Sequence, residues 1–407
     1  MMKSITTRIG GGYRLFAVVF AVMLAAHGGT SLFTDGLQVQ FRTDHDGRVA
    51  ADTLFPVHAS PINSWTTEDG VASPLTLYKV GARPNWQTNA FQRADGTFLP
   101  AIRFRRNADN SGDKQLADGS FVPKMILAST EKTTLNLGTE TTWFLVMNYL
   151  SSQTDGRVFG FGGDNPRFGA FVLGAISGTD MLRLHNNNNP GANSVLVMSP
   201  GGYLIDSRDN GSRMTCASNG VEAVNISQTA TARSTPETFY VGRMISESDT
   251  ARFDAAELIV YNRALNDAEM RIVRNALAVR WGLPCADLLW TAAAEGFCDD
   301  LAGVGSVTAT GTGRIPGAVE TSGNAGGLAL SVPSGSLAGT DGYLLVAHDG
   351  AGLVSAWDAG SNMLRIPRVW RVQSTLAAMP AVTIPMYSSL MARVARQPDF
   401  TVVAEQQ

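Results

Sequence analysis

The sequence predicts an all-β sandwich closed by one helix at about 266–281, with a smaller β unit behind it. Three observations carry this expectation. Short apolar stretches recur at intervals of about ten residues between 141 and 261, separated by turn signals, as in sandwiches and barrels. The stretch Asn266–Gly282 carries helix punctuation at both ends. From Pro284 onward the texture changes, with Gly, Ala, Ser and Thr dominating 302–342 before further apolar runs.

Composition agrees with this class. Of 407 residues, 44% are hydrophobic, 16% are charged and 42 are glycine, whereas charged residues average about a quarter of ordinary proteins. Low charge and frequent turns point to an extracellular β protein. A formal charge of −3 with no basic run makes nucleic acid a poor partner. Residues 1–28 have the three parts of a secretory signal peptide: Lys3, Arg8 and Arg14, a twelve-residue apolar run Leu15–Ala26, and small residues around Ala26-His27-Gly28. Such a run is short for a bilayer, which takes about 20 residues. The expectation is export to a secreted or cell-surface location, with no membrane span once the signal is removed.

The elements follow in order. Gly36–Thr43 alternates apolar and polar residues as an opening strand. Residues 44–100 read as irregular, rich in Pro, Asn, Asp and Gly and anchored by Trp65 and Trp86. Ala101–Phe104 is a short strand before a polar loop. Thr141–Leu150 is almost continuously apolar, which suits a strand covered on both faces. Arg157–Gly162, Phe168–Leu173, Met181–His185 and Ser194–Met198 come next. Arg213–Cys216 and Val221–Val224 flank Asn219-Gly220, a type I′ hairpin signal. Thr238–Arg243 and Phe253–Tyr261 complete the set. In the helix, Asn266 is the N-cap and Glu269 completes a capping box. Met270, Val273, Leu277 and Trp281 form an apolar stripe with Arg271, Arg274 and Asn275 between them, so a basic face toward water is expected. Gly282 and Pro284 end the helix. The sandwich is thus expected over 31–283 and the second unit over 284–407, with strands at Tyr343–His348, Leu364–Val372 and Ala381–Pro385. Phe400–Ala404 starts another strand close to the end, as if the natural chain continued.

These pieces in this order resemble the LamG-like, concanavalin A-like jelly rolls of secreted bacterial proteins. The resemblance is carried by FDAAELIVYNRALNDAEMRIVRNALAVRWGL at 253–283, with GLQVQFRTD at 36–44, NSW at 63–65, AIRF at 101–104 and TTWFLVMNY at 141–149. Trp290, the small residues of 301–332, YLLVAHDG and LRIPRVWRV resemble an uncharacterised β domain often found behind such sandwiches. The resemblance implies a lectin-like fold and glycan or other surface ligands. Glycosidases on this fold carry a Glu-x-Asp-x-Glu strand whose alternate carboxylates share one face, and a retaining enzyme needs two carboxyl groups about 5 Å apart. The chain has no such triplet, and Glu257 stands alone on its strand as a cap or rim residue.

The candidate ligand residues are Trp86, a stacking platform between Asn85 and Gln87, and the loop of His185, Asn186, Asn187 and Asn188. Its amides can bond sugar hydroxyls as donor and acceptor; the competing reading is a solvated Asx turn. Asp164 and Asn165, and separately Asp206 and Asp209, can offer oxygens to calcium, though the ion wants six to eight. Arg365, Arg368 and Arg371 around Trp370 make a basic and aromatic patch. Cys285 and Cys298 enclose a short loop, and a disulfide there would contribute about 3 kcal/mol, leaving Cys216 as a buried free thiol. The absence of a CxxC pair argues against zinc. The functional expectation is a secreted or cell-surface, non-enzymatic binding or adhesion protein for a glycan or surface protein ligand. A carbohydrate-active hydrolase or lyase on the same fold, or a purely structural surface protein, are the alternatives.

Overall fold

In the computed structural model, residues 33–377 are described, apart from 46, 52–56, 81, 106–124, 134, 152–155, 162–167, 174–179, 186–194, 229–231, 233–234, 243–250, 324, 326–327, 352–355, 359–362 and 366–367. The expected signal peptide and the expected strands at 381–385 and 400–404 lie outside these residues.

The strands are β1 (Leu37–Arg42), β2 (Val49–Ala51), β3 (Ile62–Thr66), β4 (Thr76–Lys79), β5 (Asn85–Gln92), β6 (Phe98–Phe104), β7 (Leu127–Ser129), β8 (Glu140–Ser151), β9 (Gly156–Phe161), β10 (Phe168–Leu173), β11 (Asp180–His185) and β12 (Val195–Met198). They continue as β13 (Gly201–Asn210), β14 (Arg213–Ser218), β15 (Val221–Ser227), β16 (Phe239–Val241) and β17 (Arg252–Tyr261), followed by helix α1 (Asp267–Trp281). Behind the helix come β18 (Asp299–Val307), β19 (Gly317–Val319), β20 (Gly342–His348), β21 (Ala356–Asp358), β22 (Met363–Arg365) and β23 (Trp370–Ser374).

Two antiparallel sheets face each other, which makes the fold an all-β sandwich of jelly-roll type, as the sequence led us to expect. The first has the order β15-β14-β13-β8-β17-β6-β5, with β1 also paired to β17; the second runs β12-β11-β10-β9-β16-β7-β4-β3-β2. Between them lies an aromatic core in which Trp65 meets Phe41, and Trp143 meets Phe159 edge to face. The central stretches of β8 and β17, Trp143–Met147 and Leu258–Tyr261, are continuously apolar because both of their faces are buried. Leu145 and Met147 point into the sandwich, while Phe144 and Val146 point outward under the helix.

The helix is punctuated as expected. Asn266 Oδ1 accepts from Glu269 N at 3.0 Å and Glu269 Oε2 accepts from Asn266 N at 2.8 Å. Gly282 closes it at φ +64°, where a Cβ would lie 1.9 Å from Gln92 O, so only glycine fits. The Asn219-Gly220 turn also forms, with both φ angles positive.

The expected basic face toward water does not exist. A four-stranded sheet, β19-β18-β20-β23, covers the far side of α1, burying Leu301, Tyr343, Leu345 and Ala347 against it. The polar residues of that face are consumed by specific partners. Arg274 grips Asp206 through two bonds of 2.8 Å. Asn275, fully buried, donates to Arg271 O and Asp287 O and accepts from Leu289 N.

Glu257, expected at a cap or rim, is instead the centre of the interface, and its side chain has no exposure. It accepts from Gln40 Nε2 at 2.6 Å, from Arg280 Nη1 at 3.1 Å and from Trp281 Nε1 at 2.7 Å. Arg280 reaches on to Asp300 at 3.5 Å, and Asp300 meets His348 Nε2 at 3.2 Å. One charge chain therefore links β1, β17, α1, β18 and β20. Burial pushes the Asp300 carboxyl up, but the His348 hydrogen bond and the Arg280 and Arg42 charges outweigh it and hold it below the usual range.

Other expectations are corrected. The region 44–100 is not irregular, since it contributes β2 to β5, and Asp206 and Asp209 lie on strand β13 and not in a loop. The single strand expected over 364–372 is divided between β22 and β23. The Cys285–Cys298 disulfide is not formed: all three cysteines are free. Cys285 Sγ donates to Asp287 Oδ1 at 2.9 Å and Cys298 Sγ to Ala293 O at 3.1 Å.

Two outcomes follow. Glu257→Ala takes from buried Arg280 its closest carboxylate, leaving Asp300 at 3.5 Å, and is expected to cost about 3–5 kcal/mol, read as a lowered urea midpoint at unchanged slope. A loss below about 1 kcal/mol would show that the cluster is not a structural hub. Burial, then the charge of Asp287, raises Cys285 to about 12, and burial, then Asp95, raises Cys298 to about 11. Both thiols are therefore protonated at pH 8 and should alkylate slowly in the folded protein. In denaturant without reductant all three should react; a single reactive thiol would restore the disulfide.

Candidate functional site

The two sheets differ in what covers them. α1 occupies the outer face of the first sheet, whereas the second sheet presents exposed side chains on its outer face, among them Tyr78 at 46% exposure and Val197 at 68%. Alternation decides which residues point there. Trp65, Leu77, Leu127, Phe239, Val241, Phe159 and Phe161 fill the core, so Thr66, Thr76, Tyr78, Ala128, Tyr240 and Gly160 face out. The register aligns Ser64, Tyr78, Ala128, Tyr240 and Gly160 as one row across five strands. Tyr78 and Tyr240 are two strands apart, about 10 Å, with only alanine between them.

At the β3–β4–β7 end of this face lies a groove of about 510 Å³. Its floor is rich in hydroxyls: Thr66, Thr67, Thr76, Thr130 and Thr133 line it, with Tyr78 at one side. Thr66 and Thr76 oxygens are 3.0 Å apart across the strands. Glu68 and Asp69 follow β3 after Thr67, ahead of β4. Glu68 N–H donates to Gln40 O at 2.7 Å, fixing this segment to β1. The Glu68 side chain is fully buried, and its Oε2 lies 2.5 Å from His45 Nδ1 and 3.9 Å from Arg48 Nε. Its Oε1 has no hydrogen-bond partner. Arg48 Nη2 meets Asp69 Oδ2 at 2.5 Å, and Lys132 Nζ lies 3.6 Å from Glu237. The groove thus offers hydroxyls that donate and accept and an aromatic side, with Glu68, whose carboxylate is buried, among its lining residues.

Among the described residues, none of the site candidates singled out from the sequence lines this groove. Trp86 is a core residue on β5, paired with Ile102 and 8% exposed, and offers no stacking face. His185 ends β11 opposite Gly169, while Asn186, Asn187, Asn188, Asp164 and Asn165 lie outside the described residues. Asp206 and Asp209 stand three apart on one strand and so on opposite faces. Asp206 is held by Arg274, and Asp209 accepts from Gly211 N at 2.9 Å and from Gln228 Nε2. They do not converge on one ion. Among the described residues no cluster of three or more His, Cys, Asp or Glu can hold a metal, and no helix is long and apolar enough to cross a membrane. Trp370 packs on the core of the rear sheet, its Nε1 donating to Ala325 O at 2.9 Å.

The groove residues were missed because they come from a stretch that read as irregular. The usable signal was Trp65: placed inward, it sends Thr66 outward and puts Glu68 in the segment after β3.

No family model and no curated protein matches the chain. Among solved structures, it is similar to the binding domain of botulinum neurotoxin DC in complex with SialylT, at 8% identity and a TM-score of 0.40, over 85% of this chain and 72% of that one. It is also similar to the Trypanosoma rangeli sialidase in complex with sialic acid, at 12% identity and a TM-score of 0.32, over 59% of this chain and 32% of that one. A third is the heptameric SAP-like pentraxin of Limulus polyphemus, at 14% identity and a TM-score of 0.31, over 47% of this chain and 88% of that one.

A pair of substitutions separates core from surface. Trp86→Ala should cost about 3–5 kcal/mol of stability, whereas Tyr78→Ala should stay within about 0.5 kcal/mol. Equal effects in thermal unfolding would contradict the placement of these two rings.

Proposed function

We propose that this chain is an exported, non-catalytic saccharide-binding module that holds its ligand on the outer face of the second sheet. The observation that carries this reading is the groove itself, with threonine hydroxyls beside exposed Tyr78 and a buried, half-unpaired Glu68 carboxylate. Sugars are polyols with apolar ring faces. They are matched by groups that donate and accept at once, and by an aromatic ring against which a C–H face can lie. A volume of about 510 Å³ suits a small saccharide segment, and the Tyr78–Ala128–Tyr240 row continues the surface beyond it. The signal-like residues 1–28 support export.

Titration of the full chain with a panel of oligosaccharides, followed by calorimetry, tests this. At least one should bind, and Tyr78→Ala should weaken it tenfold or more, about 1.4 kcal/mol, at unchanged melting temperature. Binding unaffected by Tyr78→Ala and by Thr76→Val would place the site elsewhere. Release of new reducing ends or unsaturated sugars from the bound ligand would overturn the non-catalytic reading.

A further inference from the structure

We infer that the groove selects saccharides that are uncharged or carry an amino group and rejects anionic ones, with the unpaired Oε1 of Glu68 as the acceptor that sets the preference. This rests on the saccharide-binding reading above and names the ligand class for the same site.

The charges decide it. The described lining contains three carboxylates, Glu68, Asp69 and Glu131, against two cations, Arg48 and Lys132. Both cations already face protein carboxylates: Arg48 lies 2.5 Å from Asp69 and 3.9 Å from Glu68, and Lys132 lies 3.6 Å from Glu237. A sialic, uronic or sulfated sugar needs a guanidinium or ammonium free to clamp its anion. Here such a ligand would have to displace an existing pair while approaching a buried carboxylate of like charge. Glu68 has the opposite need. His45 Nδ1, 2.5 Å from Oε2, fixes the carboxylate, and Oε1 is buried without a partner. A buried acceptor left unmade is costly, and a ligand group that donates to it recovers that cost. A sugar hydroxyl supplies a neutral donor, and a sugar ammonium supplies donors together with opposite charge.

The test uses calorimetry on the full chain with three probe sets: neutral gluco-, xylo- and manno-oligosaccharides with chitin oligosaccharides, their deacetylated chitosan counterparts, and sialyllactose with galacturonan and heparin oligosaccharides. Neutral or amino-bearing probes should bind at least tenfold more tightly than every anionic one. The chitin and chitosan arms separate the hydroxyl donor from the ammonium donor. Glu68→Gln, checked for an unchanged circular dichroism spectrum, should weaken the best ligand about tenfold and narrow the gap to the anionic probes. Asp69→Asn, at an exposed carboxylate, releases Arg48 without a buried change and should raise anionic affinity several-fold. Anionic probes binding as tightly as neutral ones would overturn the preference while leaving saccharide binding intact. Glu68→Gln and Asp69→Asn variants that keep the wild-type ranking would overturn the charge argument. Failure of every saccharide to bind would overturn the underlying reading and this inference with it.

Discussion

The buried Glu257–Arg280 pair is the constraint on which the rest of the structure depends. Taking two charges out of water costs several kcal/mol per ion, repaid only where geometry and extra hydrogen bonds are good. Here Gln40 and Trp281 fill the remaining acceptor sites of the carboxylate, and Asp300 takes part of the guanidinium. These partners come from the first strand, the end of the helix and the sheet behind it. The cluster therefore fixes which face of α1 meets the sandwich and where the rear sheet sits on the helix. Arg42 and Asp44 extend it: their two bonds of 3.0 Å stand against the burial penalty, with Glu257 and Arg280 among the charges that help to keep both ionised.

This arrangement explains what the sequence showed and what it concealed. The helix caps, the Asn219-Gly220 hairpin and the apolar runs of β8 and β17 depend on local chemistry or on burial of both faces, and each is readable from neighbouring residues. The polar face of α1 misled for a physical reason. Arg271, Arg274 and Asn275 look solvated until Asp206 of the sandwich and Asp287 of the loop behind the helix are brought beside them. The same ion pair hides β13, because Asp206 and Asp209 resemble a calcium loop when their buried partners are unknown. The fold class was therefore legible, whereas the ionic contacts that orient its layers were not.

The groove was illegible on different grounds. Its residues sit on β3, β4, β7 and the intervening turns, short strands in a stretch with too few apolar residues for a periodic signal. Their meaning comes from register. Ser64, Tyr78 and Ala128 form one row only because β3, β4 and β7 pair as they do. One sheet has lost its outer face to the helix and rear sheet, and the other keeps exposed side chains on its own. Glu68 joins the two halves of this division, since its backbone is bonded to Gln40, whose side chain reaches Glu257.

The pairing of β1 with β17 has a consequence for the order of assembly. Gln40 and Glu257 are separated by 217 residues of chain. Hairpins such as β14–β15 can close within about 1–10 μs, but a ladder between such distant segments must first meet the entropy of closing a very long loop. During synthesis from the N-terminus, β1 has its backbone bonds with Glu68, Ala72 and Ser73, the Trp65 Nε1 bond to Arg42 O and the Phe41–Trp65 contact to hold it until β17 emerges. The buried carboxylate likewise stays wet until β1 and the helix both arrive. The first strand to be made is among the last to be paired.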